Sequence, residues 1–324
     1  MSMAIRFHQT GGPEVLRWED VAVGEPGPGE ARVRHEAVGL NYIDTYHRGG
    51  LYPMPLPSGL GTEAAGVVEA VGSGVSEIKP GDRVAYAGGP VGAYSQVRCL
   101  AAQLLVKLPD AISMRSAAAM LLQGLTSAYL LRHTYRVTAG ETVLIHAVAG
   151  GVGLIACQWA KALGATVIGT VSSEAKGEIA RQNGCDHVIY YTREDVALRV
   201  RELTGGAGVA VVYDGVGKDT FSGSIDSLRP RGMMVSFGNA SGPVPPVSPL
   251  VLMQKGSLFF TRPGLTHYTA KREELVALAD ELFAVVGSGQ VRIAINQSYA
   301  LSDAASAHRD LEARKTTGST ILLP

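Results

Sequence analysis

A glycine-rich segment carries the clearest chemical signal in the chain. It reads Ala147-Val148-Ala149-Gly150-Gly151-Val152-Gly153 and follows the apolar run at residues 142–146. Glycines at this spacing let the backbone turn tightly, approach a pyrophosphate and pack a helix closely against the preceding strand. The first N–H groups and the dipole of that helix favour an anion. The motif therefore predicts a dinucleotide site at Gly150, Gly151, Val152 and Gly153, and a turn needed only for packing is the alternative.

The residues after the second predicted strand bear on the choice of dinucleotide. An NAD-specific site usually places an acidic residue at this strand end, about 20 residues after the glycines, to bind the ribose 2′-hydroxyl. Here Ser172 and Ser173 occupy the strand end, and Lys176 follows one turn into the next helix. Hydroxyl donors and a cation stabilise a 2′-phosphate, so the segment favours NADPH, although Lys176 is also consistent with a solvated lysine. Glu174 is the exception, and we expect it to favour the helix dipole and point away.

Alternating strands and helices must position these residues. After about residue 123, the apolar pattern predicts strands at 142–146, 166–169, 187–190, 209–213, 233–237 and 257–261. The helices predicted between them lie at 152–163, 174–183, 194–203 and 219–228. This alternation predicts an α/β fold with a Rossmann-type, doubly wound parallel sheet. Phe237, Gly238 and Asn239 then fall at the carboxyl edge of the sheet, where dinucleotides bind.

The first 122 residues and the last 60 or so have other patterns. Short apolar runs such as 31–34 and 66–71 alternate with Pro/Gly turns, which predicts a β-rich barrel or sandwich. The tail is predicted to form a helix at 270–286, a strand at 291–295 and a helix at 302–314. Because this tail is short for a domain, we expect it to pack on the first half of the chain.

Composition and charge exclude several classes of protein. The 324 residues are 46% hydrophobic and 18% charged, which suits a packed core. Lys+Arg and Asp+Glu both number 29, which argues against nucleic acid or an anionic membrane as the main partner. The three cysteines form no C-x-x-C pair, and no targeting signal or membrane-spanning apolar window is visible. We expect a cytoplasmic protein with reduced thiols.

Short motifs along nearly the whole chain match one known family. The matching segments are Gly11-Gly12-Pro13-Glu14-Val15-Leu16, Asn41-Tyr42-Ile43-Asp44-Thr45-Tyr46, Gly61-Thr62-Glu63-Ala64-Ala65-Gly66, Lys79-Pro80-Gly81-Asp82-Arg83-Val84, the glycine motif, Val235-Ser236-Phe237-Gly238-Asn239 and Thr261-Arg262-Pro263. In these segments the chain resembles the zinc-free NADPH:quinone oxidoreductases, the zeta-crystallin-like branch of the medium-chain dehydrogenase/reductase superfamily, and especially the bacterial enzymes. The resemblance implies a GroES-like catalytic domain at 1–122, completed by 265–324, and a Rossmann NADPH-binding domain at 123–264.

The same resemblance implies that no metal is bound. Zinc-dependent relatives have Cys, His and Cys at the positions of Asn41, Thr62 and Gln123. Amide and hydroxyl side chains do not supply the thiolate and imidazole that a catalytic zinc prefers. Without a Lewis acid an unactivated alcohol is difficult to oxidise, whereas a conjugated acceptor spreads the incoming charge itself. NADPH-dependent quinone reduction is therefore the expected activity.

Four residues are candidates for contacts with the substrate, which accepts the hydride. By resemblance, Asn41 lies near the nicotinamide and the substrate carbonyl, and its alternative role is to cap a helix. Tyr46 and Tyr52 can stack on a flat substrate or donate a proton, and they are equally consistent with core tyrosines. Arg262 contacts cofactor or substrate, or else forms a structural ion pair. The acceptor is expected in a cleft between the two domains.

Four further residues are expected near the cofactor. By resemblance, Tyr191 flanks the 2′-phosphate together with Lys176, and Arg314 of the tail helix contacts the same phosphate. Thr126 and Tyr129 are expected to begin the helix between the domains and to reach the nicotinamide side. From the sequence alone, Arg314 is indistinguishable from a solvated cation at a helix end.

The sequence leaves two alternative functions open and predicts one assembly. Reduction of the activated C=C bond of alkenals or enones would use the same site. A non-catalytic role, as an RNA-binding or crystallin-like structural protein, is disfavoured by the neutral charge balance and the glycine motif. A homodimer is expected, because the resembling family pairs its cofactor domains around the sixth strand. Residues 257–261 would otherwise form an exposed apolar edge.

Overall fold

A computed structural model of the protein describes residues 2–324. The strands in this part of the chain are β1 (Ser2–Phe7), β2 (Arg17–Val21), β3 (Glu30–Leu40), β4 (Ser58–Gly59), β5 (Glu63–Val71), β6 (Arg83–Ala87), β7 (Val97–Ala101), β8 (Val106–Lys107), β9 (Thr142–Ile145), β10 (Thr166–Val171), β11 (His187–Tyr190), β12 (Val209–Asp214), β13 (Leu228–Ser236), β14 (Phe259–Thr261), β15 (Ile295–Ala300) and β16 (Ser319–Leu323). The α-helices are α1 (Tyr42–Gly49), α2 (Met114–Tyr129), α3 (Gly151–Ala162), α4 (Glu174–Gln182), α5 (Val196–Leu203), α6 (Phe221–Ser227), α7 (Pro249–Gln254), α8 (Leu265–Tyr268), α9 (Arg272–Gly287) and α10 (Ala304–Glu312).

The chain forms two compact units, each assembled from separate stretches of sequence. The β unit comprises residues 2–125, Thr269–Gly287 and Ile293–Pro324. The α/β unit comprises Thr126–Tyr268 and Ser288–Arg292. Within residues 2–324, no helix is both long enough and apolar enough to cross a bilayer.

A six-stranded parallel sheet forms the centre of the α/β unit. Its strand order is β11-β10-β9-β12-β13-β14, so the chain winds outward from β9 in both directions. All six residues of β12 are buried, because helices cover both faces of such a sheet. The strand order reverses between β9 and β12, and sheets of this kind bind ligands at that switch point. The predicted doubly wound Rossmann sheet is confirmed.

The β unit is built around a seven-stranded sheet. Its main path is β15-β16-β3-β5-β6-β8, with β7 paired to β3, and a smaller sheet has the order β2-β1-β4. The C-terminal strand β16 pairs antiparallel with β3, so the tail of the chain extends a sheet that begins near residue 30. The core under these sheets includes Phe7, Val33, Leu60 and Leu105, all fully buried. This unit is the β-rich, GroES-like part that the sequence predicts.

Two elements differ from the sequence predictions around the tail. The strand predicted at 291–295 is wrong, because β15 starts only at Ile295. Its alternating half-buried and exposed residues are typical of a half-covered strand, whereas Val291 is buried without belonging to a strand. The predicted helix at 302–314 is also too long. It ends at Glu312, and Arg314 lies beyond it in a left-handed turn with φ 58°.

The helix that carries Thr126 and Tyr129 was predicted to begin there, and this is wrong. In the structure both residues lie at the end of α2, which begins at Met114. Ser113 precedes it, and its Oγ accepts a hydrogen bond from the N–H of Ser116. The physical reason is the run of alanine, leucine and methionine after residue 116, which strongly favours helix over strand.

A buried polar chain ties α1 to the tail helix α10. Arg48 donates from Nη1 to His308 Nδ1 (2.9 Å) and from Nη2 to Glu312 Oε1 (2.6 Å). Since a guanidinium only donates, His308 accepts at Nδ1 and carries its proton on Nε2. Burial, and then the charge of Arg48, lower the pKa of His308 to about 3, so its ring is neutral. Its Nε2–H reaches Tyr94 Oη (3.1 Å), which donates to Asp44 Oδ2 (3.0 Å).

We expect Glu312→Ala to destabilise the protein, because it leaves the buried guanidinium of Arg48 without its carboxylate. A hydrogen bond to a charged group is worth about 1.5–3 kcal/mol, and the partial exposure of Glu312 reduces this to about 1–2 kcal/mol. Glu312→Gln retains an acceptor and is the matched control. Thermal unfolding followed by circular dichroism should give the order wild type, Glu312→Gln, Glu312→Ala. Equal midpoints for all three would show that Arg48 does not need this partner.

Candidate functional site

The loop between β9 and α3 has the geometry of an anion-binding turn. Gly150 caps α3 in an extended conformation, and its N–H donates to Ala147 O (2.9 Å). A Cβ on Gly153 would lie 2.5 Å from Ala147 O and 2.7 Å from Val148 Cα, so only glycine lets the helix approach the loop this closely. The N–H groups of the first turn of α3 have no acceptor within the helix. They form a cradle that fits a pyrophosphate.

A series of buried hydrogen bonds connects this loop to neighbouring strands and to α6. Asp214 Oδ2 accepts from Ser224 Oγ (2.8 Å), so His146 Nε2 must donate to that Ser224 oxygen (2.9 Å). His146 Nδ1 then accepts from Thr170 Oγ1 (3.1 Å), which in turn accepts the N–H of Ala147 (3.2 Å). Ala147 is held at φ 51°, a left-handed conformation that costs a non-glycine residue about 1–2 kcal/mol. These hydrogen bonds offset this cost at the point where the loop leaves the sheet.

The proposed adenosine side lies at the ends of β10 and β11. These strands pair in parallel register with Val171 opposite Tyr190, so the next residues, Ser172 and Tyr191, leave the sheet side by side. Ser173 caps α4, and its Oγ accepts the N–H of Lys176 (3.4 Å). The structure thus brings Ser172, Tyr191 and Lys176 to one edge.

A second group of predicted residues lies at the ends of β13 and β14. Phe237, Gly238 and Asn239 follow β13, and a Cβ on Gly238 would collide with the carbonyl oxygen of Gly215 after β12. A cavity of about 410 Å³ opens beside them, with mainly apolar walls. Residues lining it include Ser236, Asn239, Pro243, Pro245, Phe260 and Arg262. Its size and its position at the carboxyl edge suit one flat organic ligand.

Thr126 and Tyr129 belong to the same unit as this cavity. Thr126 is buried, and the ring of Tyr129 stacks on Tyr268 with centroids 4.5 Å apart. Burial raises the pKa of the Tyr129 hydroxyl, and the nearby charge of Arg262 opposes that rise. Thr126, Tyr129 and Arg262 therefore lie in one region of the α/β unit.

In the β unit, Asn41 lies in a chain of buried polar side chains. Its Nδ2 donates to Glu63 Oε2 (2.6 Å), and its Oδ1 accepts from Gln123 Nε2 (3.2 Å). Gln123 Oε1 accepts in turn from Ser319 Oγ (2.7 Å). This is the orientation of the two amides when Glu63 is ionised, because a carboxylate only accepts, an amide nitrogen only donates and an amide oxygen only accepts. Asn41 is also the N-cap of α1, which is the alternative role considered for it.

Glu63 is the fully buried carboxyl at the end of this series of hydrogen bonds. Its Oε1 accepts the N–H of Leu122 (2.7 Å), so both of its oxygens receive a hydrogen bond. Burial raises the pKa of Glu63 to about 8, although the hydrogen bonds from Asn41 and Leu122 lower it. Within residues 2–324, no three His, Cys, Asp or Glu side chains come together as a metal-binding group.

Tyr46 and Tyr52 lie together beside the helix that Asn41 caps. Their rings meet edge to face with centroids 5.4 Å apart, and the Tyr52 N–H donates to the Tyr46 carbonyl (3.2 Å). Tyr42 adds a third ring, 6.3 Å from that of Tyr46. Arg314 belongs to the β unit as well, exposed in the turn after α10.

Sequence reasoning assigns no role to several residues that the structure places in these networks. Glu63, Ser319, His146 and Asp214 are examples, each hydrogen-bonded to residues distant along the chain. One signal was available for Glu63, which is an acidic residue directly before the apolar run Ala64-Ala65-Gly66-Val67-Val68 of β5. The others have ordinary types for their positions, and only the tertiary structure reveals their partners.

Comparison with known proteins covers the whole chain. Two family models match, the alcohol dehydrogenase GroES-like domain at residues 27–110 and the zinc-binding dehydrogenase at residues 151–290. The quinone oxidoreductase of Pseudomonas aeruginosa is 59% identical, over 100% of both chains. A 2-haloacrylate reductase of a Burkholderia species is 48% identical, over 100% of this chain and 99% of the relative. The solved structure of Escherichia coli quinone oxidoreductase complexed with NADPH matches with a TM-score of 0.98 and 53% identity, over 99% of this chain and 100% of that chain.

These matches extend from end to end and agree in sequence and in fold. They confirm the family that the motifs at Asn41, Gly61 and the glycine loop indicate. The chain therefore belongs to the quinone oxidoreductase family of the medium-chain dehydrogenase/reductase superfamily.

Proposed function

We propose that this protein reduces quinones with NADPH and without a metal, in the cytoplasm. One observation carries the proposal, namely the agreement of the whole chain with the NADPH complex of the E. coli quinone oxidoreductase. Quinone, NADPH and a proton give hydroquinone and NADP⁺, so the reaction balances without another reactant. The residues of the two units supply binding, orientation and hydrogen bonds.

The α/β unit fits the cofactor by its cradle of glycines. The close approach at Gly153 leaves the first turn of α3 open to the pyrophosphate, and Ser172, Lys176 and Tyr191 receive the 2′-phosphate. The bound nicotinamide supplies a hydride to the acceptor. On this basis Phe237, Gly238 and Asn239 line its binding region, with Thr126, Tyr129 and Arg262 nearby, and Arg314 is a further proposed phosphate contact.

The β unit provides neutral hydrogen-bond donors for the quinone, which is the hydride acceptor. One N–H of the Asn41 amide is taken by Glu63, and we assign the second to the acceptor oxygen, where negative charge develops. Tyr46 and Tyr52 hold the flat acceptor, and a tyrosine hydroxyl or water returns the proton. Gln123 and Glu63 hold the two ends of the Asn41 amide, which restricts its rotation.

Reduction of an activated C=C bond is the second candidate. The observation that favours it is the 48% identity to a 2-haloacrylate reductase. The same donors would stabilise the anion formed when a conjugated double bond is reduced, since its charge also collects on a carbonyl or carboxyl oxygen.

The activity is tested by following NADPH oxidation at 340 nm with a panel of quinones and enones. We expect turnover with at least one quinone, and the same rate after dialysis against a strong chelator, because Asn41, Thr62 and Gln123 supply no zinc ligands. Elemental analysis of the purified protein should find no stoichiometric zinc. Loss of activity on chelation and its recovery with zinc would contradict the proposal, as would a lack of turnover with every acceptor.

We expect Asn41→Ala, Tyr46→Phe and Tyr52→Phe to lower turnover. Removing a donor from developing charge typically costs about 10²–10³ in rate, but a quinone anion is already delocalised, so the loss should be about tenfold. Tyr42→Phe is the matched control, because its hydroxyl donates to the Leu311 carbonyl instead. Steady-state kinetics with thermal unfolding of each variant separates catalysis from stability. Wild-type turnover in all three variants would remove these residues from the acceptor site.

We also propose a homodimer that forms around β14. This strand is the edge of the parallel sheet, and Phe259 on it is 58% exposed. Leu250 and Met253 of α7 are exposed to a similar degree, at 55% and 58%. Soluble proteins avoid apolar edges of this kind, because an unpaired strand invites association. Light scattering at micromolar concentration should give twice the chain mass, and Phe259→Lys should lower it. A monomer in the wild type would contradict this assembly.

A further inference from the structure

Glu174 presents a difficulty for NADPH binding at the edge of β10. It is the first residue of α4, directly after the capping Ser173 and two residues before Lys176. A carboxylate at this strand end usually accepts a hydrogen bond from the 2′-hydroxyl of NAD and repels a 2′-phosphate. The further inference rests on the proposed NADPH site, and it concerns how the protein accommodates Glu174 there.

Arg193 holds the Glu174 carboxylate in an ion pair. Arg193 lies in the turn after β11, and its Nη2 contacts Glu174 Oε1. The hydrogen bond with the Tyr190 hydroxyl, and then the contact with Arg193, keep the pKa of Glu174 below its usual range, so the carboxyl stays ionised. Both charged side chains are more than half exposed, so their attraction alone is modest.

Arg193 also packs on an aromatic ring. The guanidinium carbon lies 4.3 Å above the centre of the Tyr190 ring, within the range of a cation–π contact. Tyr190 is only 7% exposed, and its hydroxyl accepts from Arg181 Nη2 (2.9 Å). Arg193 therefore lies on a platform that belongs to the sheet itself.

We propose that Arg193 is a specificity-determining residue, which pairs with Glu174 and so makes the end of β10 acceptable to a 2′-phosphate. With Arg193 in place, the acid that would select NAD is occupied and its charge is balanced. Without Arg193, Glu174 keeps its hydrogen bond with Tyr190 but loses its paired cation, so its charge repels the phosphate and favours the 2′-hydroxyl. Arg193 needs no contact with the cofactor for this effect.

The test is a cycle of variants in which dissociation constants for NADPH and NADH are measured by fluorescence titration. Arg193→Ala should weaken NADPH about three- to tenfold at low salt and leave NADH unchanged or tighter, as expected for one exposed charge. Glu174→Gln should keep wild-type affinity for NADPH. The double variant should regain most of the NADPH affinity that Arg193→Ala loses, because the repelling charge is gone.

Two controls separate this role from structural support. Arg193→Lys retains the charge and should retain most of the preference for NADPH. Lys255→Ala removes an exposed cation paired with Asp226 and should change neither affinity. Equal weakening of both nucleotides by Arg193→Ala, or no recovery in the double variant, would overturn the inference. A wild-type protein that binds NADPH and NADH equally would overturn the NADPH site itself, and with it this role of Arg193.

Discussion

The close contact between helix α3 and the loop before it is the constraint on which the cofactor unit depends. At Gly153 even one added carbon would lie 2.5 Å from a backbone oxygen, so the helix and the loop would have to separate. Their separation would move the first turn of α3, whose N–H groups provide the partial positive charge for a pyrophosphate. The contact also requires Ala147 in a left-handed conformation, which the chain from Thr170 through His146 and Ser224 to Asp214 stabilises.

The β unit meets a different requirement, which is to hold neutral polar groups in a buried place. Glu63 is tolerated there because both of its oxygens accept N–H groups, one from Asn41 and one from the backbone of Leu122. The series of hydrogen bonds continues from Asn41 to Gln123 and Ser319. The C-terminal strand β16 therefore takes part in orienting the Asn41 amide at the start of α1. A fully connected network of this kind favours a single arrangement of its members, whereas a partly satisfied one would be costly.

Much of the fold is readable from the sequence, because its signals are local. The glycine motif, the continuous apolar strands and the glycines after α3 and α4 predict all six strands of the parallel sheet, and β11 matches the predicted range 187–190. Other bounds differ: β13 is predicted at 233–237 and begins at Leu228, and β14 is predicted at 257–261 and begins at Phe259. Local signals fail where context decides. The β-rich pattern of the first 122 residues obscures the start of α2, although the alanine run there favours a helix, and β15 begins later than predicted because Val291 is buried without being in a strand.

The candidate site is less readable, because its hydrogen bonds join distant parts of the chain. Asn41 and Gln123 are 82 residues apart, and Gln123 and Ser319 are 196 apart. Residue types at these positions lack the thiolate and imidazole that zinc prefers, but they do not reveal that the amides bond to each other. The same holds for Glu174, whose partner Arg193 is brought near by the pairing of β10 with β11. The roles given to Asn41, Tyr46, Tyr52 and the phosphate-binding residues stay predictions.

A crystal structure with NADPH and an unreactive quinone analogue bound tests the central claim most directly. The account predicts the pyrophosphate at the first turn of α3 and the 2′-phosphate beside Lys176. It also predicts the acceptor oxygen within hydrogen-bond distance of Asn41 Nδ2, with no metal ion beside Glu63. A pyrophosphate elsewhere, or a metal ion held between Glu63 and the acceptor oxygen, would contradict it.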